Sequence, residues 1–195
     1  MIKIIIICRV CGKLDETIDH IVSNCSVLAP NEYTVRHDRV AQYIHWTLCN
    51  HFGIETSPRW YEHKPEPVTE TQNITILWNF AIHTDRTIKA NRPDIVLKDR
   101  QNKTCQLIEI SVPCDGNLAT AEFKKLSKYK DLEIEIPKMW KMKTFITPVI
   151  IGALGMVRKG TQKFIDSIPG KVSLPEIQKI AINGTAHIQI GRAHV

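Results

Sequence analysis

No stretch of this 195-residue chain is apolar for long enough to cross a bilayer. The opening run MIKIIIIC is short and has no small-residue cleavage site after it, so it matches neither a membrane span nor a signal peptide. With no sign of an oxidising compartment, the cysteines are expected to remain reduced thiols, which sets aside a disulfide framework. Internal repeats, low-complexity tracts and heptads are also missing, and with them the case for a solenoid or a coiled coil. Charge is not extreme, but 26 Lys and Arg against 20 Asp and Glu leave a net charge of +6. The resulting pI near 9.0 favours an anionic partner such as nucleic acid. A hydrophobic content of 43% supports one well-buried domain, with about thirty residues left for a metal-stapled appendage.

That appendage is marked by CRVCGKLDETIDHIVSNC, Cys8 to Cys25, in which the spacing is C-x2-C-x8-H-x4-C. A tetrahedral ion needs four donors converging on one point, and Cys8, Cys11, His20 and Cys25 form such a set. Gly12 lets the chain bend after the first pair, and LDETIDH is expected to form a short helix that delivers His20. The expectation is a structural Zn²⁺ in a CCHC knuckle over residues 1–30. Cys49, Cys105 and Cys114 sit in apolar surroundings and read as small buried hydrophobes. A RING-type protein is disfavoured, because it needs two interleaved sites and the sequence offers only these four ligands at suitable spacing.

Residues 31–188 read as an α/β domain. NEYTVRHDRVAQYIHWTLCNHF carries Val40, Ala41, Ile44 and Leu48 at helical spacing and stops before Gly53. Residues 56–73 hold three prolines and many polar groups, predicting a surface loop. Strands are predicted at 74–80, 94–98 and 105–112, the last two joined in a hairpin by DRQNK. A helix over 119–142 follows, with Phe123, Leu126, Leu132, Ile136 and Met139 on one face and a break or kink at Pro137. Then come a buried strand, TFITPVIIGALG, and helices near 159–168 and 173–187. The order helix, three strands, helix, strand, helices describes a small mixed sheet covered by helices.

One constellation in this order carries chemistry. Glu109 lies among Leu107, Ile108, Ile110 and Val112, where an ionised carboxylate is costly unless it is paired or binds a metal. If the hairpin forms, Asp94 reaches a similar depth on the neighbouring strand, and two hard oxygen donors close together suit Mg²⁺. A bound Mg²⁺ would activate water and stabilise charge on a phosphodiester. Lys125 or Lys128 on the next helix would complete such a site. Taken singly, Asp94 also reads as a turn residue after proline, Glu109 as the exposed face of an edge strand, and the lysines as a solvated run.

Together these residues resemble the C-terminal end of an early-branching non-LTR (LINE-class) retrotransposon polyprotein, the kind with a restriction-like endonuclease after its reverse transcriptase. The resemblance rests on the Cys8, Cys11, His20, Cys25 knuckle, RHD at 36–38, RPD at 92–94, IEISVP with Glu109, KLSKY at 125–129 and MW at 139–140. It implies a restriction-endonuclease-like PD-(D/E)xK core in which Asp94 and Glu109 bind Mg²⁺, nicking target DNA to prime reverse transcription. The usual motif has a lysine two residues after the acid, where this chain has Ser111. In the branch it resembles, the lysine has migrated to the next helix, where Lys125 stands.

The same resemblance implies DNA as partner, element RNA as a further one, action in the nucleus, and an upstream reverse transcriptase, since no YxDD-type motif occurs here. Its alternative is a decayed or domesticated copy that binds nucleic acid without cutting. Arg36, Arg39, Lys89 and Arg92 flank the helix and strand leading to the acids and are the first candidates for phosphate contacts, with plain surface charge as the other reading of each. QIGRAHV breaks the helical pattern of PEIQKIAINGTAHI and can be encoded by a common sequencing-library adapter. Residues 189–195 are therefore expected to be a non-native tail, or else an ordinary disordered one.

Overall fold

The computed structural model describes residues 6–191, so most of the opening apolar run and residues 192–195 of the expected tail lie outside the described residues. The branched, apolar segments form strands: β1 (Val68–Glu70), β2 (Ile74–Trp78), β3 (Ile95–Asp99), β4 (Thr104–Ser111) and β5 (Lys143–Ile150). They make one sheet in the order β1-β2-β3-β4-β5. The first three pairings are antiparallel, and β4 with β5 is parallel. Parallel neighbours need a crossover, and α2 (Leu118–Lys128) and α3 (Lys130–Trp140) supply it. The remaining helices are α1 (Thr34–His51), α4 (Thr161–Asp166) and α5 (Leu174–Gly191).

Strand periodicity sends alternate side chains to opposite faces, and each face has its own core. Ile74, Ile76, Ile95, Leu97, Ile108, Ile110 and Val149 pack with α1, α4 and α5. Leu77, Val96, Leu107 and Ile146 pack with Tyr129, Leu132 and Ile136 on the other side. The fold is thus mixed α/β, with a five-stranded sheet between two helical layers. Helix α1 ends where Gly53 adopts φ +68°, a left-handed conformation that glycine takes without steric cost. The DRQNK hairpin closes because the Asp99 carboxylate accepts hydrogen bonds from the Asn102 backbone N–H at 2.9 Å and its side-chain amide at 2.7 Å.

Several expectations are corrected. Within the proline-rich loop, Val68–Glu70 pairs with β2 as a short edge strand. The predicted helix over 119–142 is two helices, and the break falls at Tyr129 while Pro137 sits inside α3. Tyr129 is 1% exposed, and its hydroxyl donates to the Arg92 carbonyl at 2.7 Å. Anchoring this ring ends α2, so the proposed single apolar face does not exist and Phe123 is left 71% exposed. In the knuckle, LDETIDH is helical only at its end: Asp15 pairs with Ile7 in a β-bridge, a helical turn starts at Ile18, and it widens from His20 to Asn24. Helix α5 continues through Gly191, past the expected boundary at 188.

Candidate functional site

Register places the carboxylates. The β3–β4 ladder pairs Ile95 with Ile108, so the next step outward sets Asp94 opposite Glu109. Both share the parity of Val96 and Leu107 and therefore face α2 and α3. Strand β4 lies between β3 and β5, which overturns the edge-strand reading of Glu109: its side chain is 0% exposed. The Glu109 Oε1 accepts the Asp94 backbone N–H at 3.2 Å, and the Asp94 Oδ2 accepts the Ile110 N–H at 2.7 Å. These reciprocal bonds fix both carboxylates to the backbone of the other strand.

Helix α2 sets Lys125 over the pair, its Nζ 3.0 Å from Asp94 Oδ2 and 3.0 Å from Glu109 Oε2. The fourth member comes from α1: His37 Nε2 lies 3.3 Å from Asp94 Oδ2, while its Nδ1 lies 2.9 Å from Asp38 Oδ1. Sequence reasoning left His37 out of the site. The one signal for it was the RHD triplet, whose meaning depends on where α1 crosses the sheet.

The electrostatics divide the carboxylates. Burial raises the Asp94 carboxyl, but the His37 hydrogen bond and the Lys125 charge outweigh it and hold Asp94 at about 2. Burial, with the Asp94 charge beside it, pushes Glu109 up to about 8 against the pull of Lys125. Burial disfavours charge on Lys125 and His37 too. The two acids overcome it for Lys125, raising its pKa, and Asp38 with Asp94 raise His37 to about 9. Asp94 is the fixed negative charge of the site, and Glu109 is the acid whose charge responds to what binds there.

The other basic candidates scatter. Lys128 is exposed and stacks its Nζ 4.7 Å from the Tyr129 ring centroid. It also lines, with Ser111, Pro113, Asn117, Lys124 and Lys125, a groove of about 410 Å³ beside the carboxylates. Lys89 and Arg92 are exposed between β2 and β3. Arg39 lines a separate cleft of about 460 Å³ with Gln42, Trp60, Tyr61 and Lys179.

Arg36, expected on a nucleic-acid surface, is inside the protein at 1% exposure. It donates to Thr185 Oγ1 at 2.7 Å and to the Val112 carbonyl at 3.2 Å, and its guanidinium lies 5.2 Å from the Tyr33 ring centroid. Helix α5 makes room for it with Gly184, where an added Cβ would stand 2.7 Å from Arg36 Cγ. A buried arginine reads in sequence like an exposed one, because the partners of its terminal nitrogens, Val112 and Thr185, lie far along the chain.

Cys8, Cys11, His20 and Cys25 bring their ligand atoms within 4.8 Å of one another and could hold a metal ion, a donor set compatible with zinc. Cys11 Sγ is 3.3 Å from His20 Nε2. The Lys13 backbone N–H, helped by that of Leu14 and by His20 and Cys8, draws Cys11 down to about 6 despite some desolvation. Tyr33, beyond the expected knuckle boundary, ties the module down: its hydroxyl accepts the Cys25 N–H at 3.0 Å and donates to the Ile21 carbonyl at 2.7 Å. The count of four ligands is corrected as well, for His45, Cys49 and His63 form a second convergent group. No family model and no curated protein matches this chain. Among the described residues, no helix is long and apolar enough to cross a membrane.

Proposed function

We propose that this chain is the endonuclease region of an early-branching non-LTR retrotransposon polyprotein, a Mg²⁺-dependent DNA nuclease with a PD-(D/E)xK-type core. The observation that supports it is the meeting of Asp94, Glu109 and Lys125 on one face of the sheet, with the ammonium 3.0 Å from each carboxylate. Asp94 and Glu109 are hard oxygen donors fixed by backbone hydrogen bonds, which fits Mg²⁺. When bound there, Mg²⁺ supplies Lewis-acid activation of a phosphodiester and of water.

The remaining work belongs to the chain. Lys125 offers a positive charge to the scissile phosphate where the simpler motif would use the position of Ser111. His37 keeps Asp94 ionised and oriented. Lys124 and Lys128 line the groove beside the site, where a DNA backbone would pass, and the knuckle adds a second grip on nucleic acid. The place of action is nuclear DNA, with element RNA as a further partner and the polymerase upstream in the same polyprotein. A non-cutting nucleic-acid-binding copy is the second reading, favoured by Ser111 and by the closed ion-pair cluster that Lys125 makes with both acids. Nicking of supercoiled plasmid with Mg²⁺ separates the two: wild-type protein should nick and Glu109→Ala should not. Equal nicking by both, or by neither, rejects the nuclease reading.

A further inference from the structure

The chain carries three metal-binding side chains that the carboxylate site and the knuckle do not use. His45 and Cys49 stand four residues apart in α1, so they share one helix face. His63 follows the single helical turn Trp60–Glu62 and comes back over that face. His45 Nδ1 lies 2.8 Å from His63 Nε2 and 3.5 Å from Cys49 Sγ, and all three residues are buried. Zinc bound at ~2.0 Å to nitrogen and ~2.3 Å to sulfur sets such donors roughly 3.3 to 3.6 Å apart, so the imidazoles need to part by only about half an ångström.

The loop bearing His63 is sewn to α1 without any metal. Gln42 donates from α1 to the His63 carbonyl, and Trp46 Nε1 donates to the Ser57 carbonyl at 2.9 Å. The two imidazoles lie nearly parallel, their centroids 5.0 Å apart, and Trp78 meets His45 edge-on at 5.6 Å. One shared proton satisfies the two facing ring nitrogens without the thiol, whose polar contact is with His45 Nδ1, whereas a divalent ion engages all three donors. On its open side the cluster borders a pocket of about 510 Å³, also lined by Glu62, Glu66 and Thr69. A fourth ligand, water or a carboxylate, has access there.

We propose that His45, Cys49 and His63 bind a second Zn²⁺ ion, with its fourth position open to the pocket beside them. Three protein ligands of nitrogen and sulfur select zinc over magnesium, and the ion pins the loop before β1 onto α1. The proposal is independent of the nuclease reading.

The test measures zinc in the full chain purified from zinc-supplemented culture, together with sulfur coordination by X-ray absorption. Wild-type protein should hold two zinc ions per chain, with the average falling from the three sulfurs of the knuckle alone to two per zinc. His63→Ala and Cys49→Ala should each lose one ion and return the average to three sulfurs. One zinc per chain with three sulfurs in the wild type overturns the proposal, as does a second zinc that carries no sulfur. The wild-type spectrum decides the matter even where a variant fails to fold. If the variants fold and keep both ions, the assignment is equally overturned.

Discussion

The Cys8–Cys25 module and the Asp94–Glu109–Lys125 cluster are both polar assemblies taken partly out of water, yet they are held by different means. Among the described residues, the apolar cluster of the knuckle is Cys8, Ile21 and Cys25, with Val10, Cys11, Leu28 and Tyr33 packed against them. So small an apolar group offsets little of the entropy of ordering the segment, and an ion held by the four donors would supply the rest. The carboxylates stand on a sheet with a hydrophobic core on each face, so their positions are fixed before anything binds. On the proposed reading, one region would gain its shape from its metal, and the other would offer a preset shape to one.

Metal removal should break this comparison most sharply. A structural zinc is worth ~10 kcal/mol or more to a small module, so chelation should erase hydrogen-exchange protection over residues near 8–25. Amides of β3 and β4 should stay protected. Loss of protection in both regions together would show that the two form one cooperative unit. Replacing Cys8→Ser with Cys11→Ser should abolish zinc at the knuckle, and an undiminished zinc content would sink that ligand assignment.

Next in size is the loss of nicking in Lys125→Ala, expected at ~10²–10³-fold with DNA binding nearly unchanged, as for a group acting mainly in the transition state. Lys128→Ala should have a much smaller effect, since its ammonium lies over Tyr129 and away from the acids. Full activity in Lys125→Ala with loss in Lys128→Ala would transfer the role. Smaller again is the stability cost of Gly184→Ala. Alanine favours helix, but here its methyl would press on Arg36, which bridges Tyr33 of the knuckle side to Val112 beside the site. A loss of ~1–3 kcal/mol is expected in denaturant unfolding, and an unchanged midpoint would mean that Arg36 is not locked.

The remaining effects concern charge. Removing Lys124 or Lys128 should lower the slope of log affinity for DNA against log salt by about one each, whereas Arg36→Met should leave that slope unchanged because Arg36 is buried. In pH titrations of stability the two acids should act in opposite directions. Asp94, lowered from 3.8 to about 2, contributes stability that is present above pH 3.8 and lost as pH falls through 2. Glu109, raised from 4.5 to about 8, keeps a proton that the unfolded chain releases, so its contribution declines as pH rises from 4.5 through 8. Asp94→Asn should flatten the acid limb and Glu109→Gln the neutral one; a single limb changed by both would show that they titrate as one pair.

The convergence of the four Cys and His donors, the main strands and the hairpin that sets Asp94 beside Glu109 were legible along the chain. Each is a local matter: the four ligands span eighteen residues, strand parity follows from alternation, and a short polar turn returns the chain upon itself. Tertiary structure alone decided the rest. It set Lys125 against the two acids, brought His37 to Asp94, drew Arg36 inside, broke the crossover helix at Tyr129 and gathered His45, Cys49 and His63. Those outcomes depend on how helices cross the sheet and which donors they meet there, between residues separated by long stretches of chain. Spacing along the sequence carries no record of such encounters, because their energy comes from packing and from buried charge that only the folded layers create.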